Sequence, residues 1–384
     1  MEYKLEELFD LQMGKTPSRN NSDYWNTKDN KWISIADLSK CGKYIGETKE
    51  YISDDAVENS GISKIPANTV VMSFKLSIGK TAITAEDMYS NEAIMSFHDK
   101  HIVNLTPEYV YYLLLAHDWT DGTNKAVMGK TLNKATLSKV KVNIHSSEEQ
   151  AEIVACLNSV ASVISARQKQ LKKLDDLVKA RFVELFGDPI INPRGFEKVP
   201  LSKLAEIKIG PFGSLLHKED YIQAGHALVN PSHIIDGKIS IDSKLTVSEE
   251  KFNELRAYHL RVGDVVMGRR GEMGRCAVVT ENGLLCGTGS LLIRTNGEVT
   301  ADYIQKIISF PSFKKTIEEM AVGQTMPNLN VPIVSRFQII KPPFEVQKAY
   351  YDFVSQTDKS KAAIQKALNE TQVLFDSLMQ KYFD

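Results

Sequence analysis

Between Ser147 and Phe186 the apolar residues Ile153, Leu157, Val160, Ile164, Leu171, Leu174, Val178 and Leu185 recur in steps of three and four, with Arg167 and Arg181 filling the two gaps. That spacing lines one face of an α-helix and predicts a single long helix over 147–188. Ser147, with Glu149 and Gln150 just inside, is the expected cap, and Gly187-Asp188-Pro189 the expected stop. A second stripe, Val346, Tyr350, Phe353, Ile364, Leu368, Phe375, Leu378 and Tyr382, predicts another long helix over 342–384, started by Pro342 and Pro343. About 40 residues at roughly 1.5 Å each make a rod near 60 Å. Neither rod can bury its stripe alone. The two are expected to pair as an antiparallel coiled coil, with Leu157, Val160, Ile164, Leu171, Leu174 and Val178 packed against Phe353, Ile364, Leu368 and Phe375. The polar stripe residues Arg167, Arg181, Thr357, Ser360 and Thr371 are expected to fix the register of the pair, or else to face other subunits.

The stretches before the helices follow another pattern. Residues 1–146 and 198–341 hold short β-branched runs such as Thr69-Val-Val-Met-Ser and Asp264-Val-Val-Met, separated by Gly, Asn and Asp turns, with helical patches at Pro107–His117 and Ala301–Ser309. Each reads as a mixed α/β globule, and residues 189–197 as a linker. The halves also share landmarks. Gly14 answers to Gly210, Val70-Val-Met72 to Val265-Val-Met267, Gly79-Lys80 to Gly274-Arg275 and Thr106-Pro-Glu-Tyr109 to Thr300-Ala-Asp-Tyr303. Gly129-Lys-Thr-Leu answers to Gly323-Gln-Thr-Met, and Gln150 to Gln347, all at offsets of 194–197. A nearly constant offset means a tandem duplication. The expected fold class is therefore α/β: two mixed globules and two long helices forming an antiparallel coiled coil, in a pseudo-two-fold tandem repeat.

Composition narrows the functions. The chain has 384 residues, 42% hydrophobic and 25% charged, so it can build sizeable cores and is not a disordered segment. Its longest apolar run, Val110 to Ala116, is far short of the roughly 20 residues that span a bilayer. The acidic, amphipathic start Met1-Glu-Tyr-Lys-Leu-Glu-Glu is unlike a secretion signal, and a cytoplasmic protein without membrane contact is expected. Four cysteines without a C-x-x-C pair, and the lone pair His98 and His101, give no expectation of a metal or a disulfide framework. The formal charge is −1, so any attraction to nucleic acid has to be local. Globule one has 17 Lys+Arg against 19 Asp+Glu and globule two 18 against 15, net −2 and +3. Cations nevertheless bunch in turns, around Lys15 and Arg19, Lys75 and Lys80, Lys130 and Lys134, and Arg269, Arg270 and Arg275.

Catalytic motifs fail one after another. The triplets Gly14–Thr16, Gly79–Thr81 and Gly129–Thr131 lack the glycine five residues earlier that a phosphate loop needs; Phe9, Phe74 and Asn124 stand there. Gly287-Thr-Gly289 does not continue into a dinucleotide loop. Lys341-Pro-Pro-Phe344 has the prolines and ring of an adenine methyltransferase motif, but a cation where an acceptor must hold the base's amino group. No catalytic residue is expected.

Two variable globules, each followed by a long helix and without a catalytic motif, resemble the specificity subunit of a type I restriction-modification system. The residues that carry the resemblance are Gly14-Lys-Thr-Pro17, Tyr24-Trp25, Trp32-Ile-Ser-Ile35, Gly61-Ile-Ser-Lys-Ile-Pro66, Ile78-Gly79-Lys80, Glu149-Gln150 and Pro342-Pro343-Phe344. It departs from the pattern at Gly210-Pro-Phe-Gly213 and at His145-Ser-Ser. The resemblance implies that each globule is a target recognition domain reading one half of a bipartite double-stranded DNA site. It further implies that the helices set the unread spacer and dock two modification (methyltransferase) subunits, with restriction (helicase-nuclease) subunits added to the complex. S-adenosylmethionine, ATP and Mg are then expected on the partners, and no cofactor on this chain. Two readers on one face of a duplex sit about 34–36 Å apart or a multiple of it.

Groove reading needs donors on loops projected from a rigid body. The candidates are Lys15, Arg19, Lys75, Lys80, Lys130 and Lys134 in globule one and Lys218, Arg269, Arg270, Arg275, Gln324, Asn328 and Asn330 in globule two. Tyr24, Trp25 and Trp32 are expected in the core, or else to stack or wedge against DNA. The alternatives are a protein-binding adaptor with a coiled-coil spacer and an unrecognised stand-alone DNA methyltransferase.

Overall fold

The computed structural model describes residues 1–384 apart from Asn26, Leu76, 120–131, 322–327, Asp384 and the side chain of Ser214. Its contacts form two compact units, Met1–Gln170 with Ile364–Asp384, and Leu171–Ala363. The linear order of globule, helix, globule, helix is thus not how the chain packs, because both long helices contribute to both units. They run unbroken over Ser147–Phe186 and Phe344–Phe383.

Their ends show how local chemistry sets length. The cap of the first helix is Ser146, one residue before the expected Ser147. Ser146 Oγ accepts from the Glu149 amide at 3.3 Å, and the Glu149 carboxylate accepts from the Ser146 amide at 2.9 Å, a reciprocal box that satisfies two otherwise orphaned donors. At the other end Gly187 takes φ +71°, and a Cβ there would lie 2.4 Å from Pro193 Cγ, so glycine is required where the helix stops. Pro342 and Pro343 precede the second helix, and the Pro343 carbonyl accepts from the amides of Val346 and Gln347.

In the first unit a five-stranded sheet runs in the order Phe9–Met13, Ile94–Asp99, Val70–Ser73, Thr81–Thr84 and Tyr44–Ile45, antiparallel but for the last pair. The helix Pro107–Ala116 packs on it. Thr106 caps that helix through the Tyr109 amide, and Tyr109, fully buried, sets its hydroxyl 2.7 Å from His145 Nδ1. The Thr-x-x-Tyr motif is therefore a cap plus a bolt to the approach of the long helix. Gln150, also buried, donates to the carbonyls of Asn104 and His145 and closes the same joint. Within this unit the helices run antiparallel: Arg167 donates to Ala367 O and Thr371 Oγ1, Ile153 and Leu157 share a core with Met379, and Phe375, Leu378, Tyr382 and Phe383 pack against it.

Two partly buried histidines make this unit sensitive to acid. Burial lowers the pKa of His98 and His117 below the ordinary 6.5, while Asp10 and Asp118 act in the opposite direction. The unfolded chain takes up protons there that the folded one resists, so folding loses stability as pH falls below about 6.5. Unfolding midpoints are expected to drop between about pH 7 and 5, and His98→Gln with His117→Gln should flatten that slope.

The second unit repeats the plan. Its sheet runs Ala205–Ile209, Ser290–Thr295, Val265–Gly268, Cys276–Val278, antiparallel throughout. Thr300 caps the helix Ala301–Ser309 through the Tyr303 amide, and the buried Tyr303 hydroxyl donates to Ile340 O at 2.8 Å. Gln347 takes the part of Gln150, donating to Pro342 O and accepting from the Thr300 amide. Asp264, 2% exposed, holds Arg294 through two hydrogen bonds of 2.8 and 2.7 Å. The helices are antiparallel here too. Lys361 pairs with Asp175 at 2.6 Å, Phe182 and Phe186 meet Tyr350, and the Arg181 guanidinium lies 5.9 Å from the Phe353 ring. All ten residues expected to pack the coiled coil are buried or half-buried.

Candidate nucleic-acid interface

Antiparallel register places the candidates in space. Met13 and Met72 both lie opposite Met95, and Met72 opposite Thr81, so residues 14–19, 74–75, 77–80 and 91–93 lie at one end of the first sheet. The amide of Leu132 donates to Phe74 O at 3.2 Å, which brings the chain approaching Lys134 to the same end. In the second unit Gly268 lies opposite Ser290 and Met267 opposite Cys276, so the loops 210–212, 269–275 and 286–289 share an end as well. Leu329 N donates to Arg269 O at 2.9 Å, and Arg270 bridges Asn328. Lys15, Arg19, Lys75, Lys80 and Lys134 are thus gathered in the first unit, and Arg269, Arg270, Arg275, Asn328 and Asn330 in the second. Lys218 stands apart in the turn Lys218–Asp220. Lys130 and Gln324 lie outside the described residues.

The gathered residues are not equally free. Arg19 is held by both oxygens of Glu50, at 2.5 and 3.1 Å, and lies 3.6 Å over the Trp25 ring. Trp32, 2% exposed, donates from its indole to Lys15 O, so the tryptophans support the loop from within. Lys80 donates to Ser39 Oγ. Arg275 bonds Glu272 at 2.6 Å and Pro231 O at 3.2 Å; that arginine, followed by Lys314, holds the Glu272 carboxyl below the usual carboxylate range. Asn330 caps the helix Val331–Ser335 through the Ile333 amide. Lys15, Lys75, Lys134, Lys218, Arg269 and Arg270 form no ion pair with a described residue. Burial, and then repulsion by Arg270, disfavours the charge on Arg269. The acidic partners Glu50 and Glu272 escape a reading of cation positions alone; their closeness to Arg19 and Arg275 appears only once the strands are paired.

The two ends share one backbone frame. Gly14 N donates to Ile94 O and Gly210 N to Ser290 O; Ser73 N to Lys80 O and Gly268 N to Arg275 O; Phe74 N to Ala93 O and Arg269 N to Gly289 O. The two units thus mount different side chains on a duplicated frame. The model of the type I restriction modification DNA specificity domain family matches residues 1–175 and again residues 193–371. The chain belongs to that family. As a specificity subunit it is a DNA-recognition component of a restriction-modification system and not a catalytic one.

One curated relative matches over nearly the whole length and others over about half or less. The chain is 22% identical to the type I restriction enzyme MjaIX specificity subunit of Methanocaldococcus jannaschii, over 98% of this chain and 91% of that one. It is 24% identical to the EcoR124I/EcoR124II specificity subunit of Escherichia coli over 43% and 44%. Among solved structures, the S subunit from M. genitalium shares the fold at TM-score 0.55 and 15% identity, covering 100% of this chain and 96% of that one. A chain from a structural study of complex assembly and conformational transition of the type I R-M system does so at TM-score 0.64 and 15% identity, over 99% and 96%. Among the described residues, no helix of the specificity subunit is long and apolar enough to cross a membrane, and no cluster of His, Cys, Asp or Glu could hold a metal.

Proposed function

We propose that each unit of this specificity subunit reads one half of a bipartite double-stranded DNA site with the loop end of its sheet. The observation that carries the reading is the repeated frame of amide-to-carbonyl bonds with different side chains mounted on it. A rigid sheet end with cations and amides on short loops suits groove reading, because phosphate contacts set position while donors on loops reach base edges. The antiparallel helices set the unread spacer and dock two methyltransferase subunits, joined by restriction subunits, in the cytoplasm. S-adenosylmethionine, ATP and Mg belong to those partners. With 47 Lys and Arg against 48 Asp and Glu, the chain neutralises few phosphates by itself, so tight binding belongs to the complex.

Methylome sequencing with and without the gene tests this. An interrupted methylated motif appears only when the gene is present, and exchanging residues 1–146 for those of a relative changes one half of it. A change in both halves at once overturns the two-reader arrangement.

A further inference from the structure

The frame shared by the two units carries a phenylalanine at one point and an arginine at its counterpart. Phe74 and Arg269 each directly follow the third strand of their sheet. Each receives the same two bonds: its amide donates to Ala93 O or Gly289 O, both at 3.0 Å, and its carbonyl accepts from Leu132 or Leu329. Phe74 is 1% exposed and belongs to the first unit's core. The position can therefore be filled by packing alone, and nothing in the frame calls for a cation.

Arg269 is held in a way that packing does not explain. Its Nε is buried and has no hydrogen-bond partner, and on the adjoining loop Asn328 Oδ1 is buried and unpartnered too. The two loops are joined by the Leu329 to Arg269 bond and by the bridge between Arg270 and Asn328. An idle buried donor on one loop and an idle buried acceptor on the loop joined to it cost stability, and such groups call for a partner from outside the fold. Six residues on from Arg269, Arg275 is neutralised by Glu272; neither Arg269 nor Arg270 has a described carboxylate. Gly271, which follows the two arginines, has φ +78° and no described atom within 4 Å of a Cβ position.

We infer that Arg269 and Asn328 together read one G·C base pair in the half-site of the second unit, and that Arg270 anchors a neighbouring phosphate. The inference rests on the two-reader arrangement proposed above and goes further by naming the reading element. The chemistry fits a G·C pair because its major-groove edge offers two acceptors on guanine and an amino donor on cytosine. A guanidinium fork takes the first two and the Asn328 carbonyl the third. Lys75, the counterpart of Arg270, is the matching phosphate anchor of the first unit, where Phe74 leaves base reading to other residues.

The test uses the full chain with its own methyltransferase subunits and reads the methylated motif. Arg269→Phe, which places the first unit's residue on the same frame, should relax one G·C position in one half by about ten- to a hundredfold and leave the other half intact. Arg270→Gln should keep the motif, weaken methylation evenly at all sites and make binding of the complex less steeply salt-dependent by about one unit of slope. An unchanged motif with Arg269→Phe overturns the inference. If that variant abolishes methylation, Arg269→Lys in the purified complex decides, in competition between duplexes varied at each position of that half. Reduced discrimination at one G·C position supports the inference, and undiminished discrimination overturns it. Should the wild-type chain itself direct no bipartite motif, the two-reader arrangement falls, and this inference with it.

Discussion

Gly210→Ala should lower the thermal unfolding midpoint by roughly 5–10 °C, and Gly14→Ala should do nearly the same, while Gly42→Ala leaves it unchanged. Neither Gly14 nor Gly210 has an unusual φ; what each lacks is room. A Cβ on Gly210 would lie 2.0 Å from Gly287 O and 2.7 Å from its carbonyl carbon, and on Gly14 2.3 Å from the carbonyl oxygens of Ser90 and Asn91. These are backbone atoms in loops tied to the sheet by the bonds Gly210 N to Ser290 O and Gly14 N to Ile94 O, so no side-chain rotation relieves the clash. Forcing them apart costs on the order of 3 kcal/mol. Gly42 has nothing within 4 Å of its Cβ position and serves as the control. The measurement has a functional arm as well. Each glycine sits where a strand runs into the loop end of its own sheet, so Gly210→Ala should weaken recognition of one half-site and Gly14→Ala that of the other.

Arg294→Ala should cost about 3–5 kcal/mol of unfolding free energy, seen as a shift of the urea midpoint. Arg294 holds both oxygens of Asp264 and also donates to His259 O at 3.1 Å. Without it the carboxylate, 2% exposed, keeps the amide of Arg261 at 2.7 Å as its remaining bond. A buried charge with so little compensation accounts for the cost, more than the lost attraction does. The double variant Asp264→Leu with Arg294→Met should therefore recover most of the stability that Arg294→Ala loses. A double variant no better than the single one would show that the pair contributes attraction beyond its desolvation penalty.

The long helices were legible because a period near 3.5 residues survives over ten turns, and the duplication because its offset drifts by only three residues. The paired strands carried a weaker signal, since runs such as Val70–Ser73 are buried on both faces and do not alternate. The site divided in the same way. Turn-borne cations could be picked out by position, yet whether each was free depended on contacts far along the chain. Arg19 and Glu50 are 31 residues apart, and Trp25 lies under the same guanidinium. The most telling comparison was present in the sequence and easy to pass over. The 195-residue offset that aligns Val70-Val-Met72 with Val265-Val-Met267 also sets Phe74 against Arg269. Only the matching amide-to-carbonyl bonds show that the two residues occupy one place in a common frame.

The first unit is completed by residues Ile364–Asp384, whereas the second is contained in Leu171–Ala363. A ribosome makes the chain from its amino end, so the second unit has all its residues while the first still lacks Phe375 and Met379 from its core. The globule made first is thus the one finished last, and until residues 364–383 have been made the stripe around Ile153 and Leu157 has no partner helix to cover it.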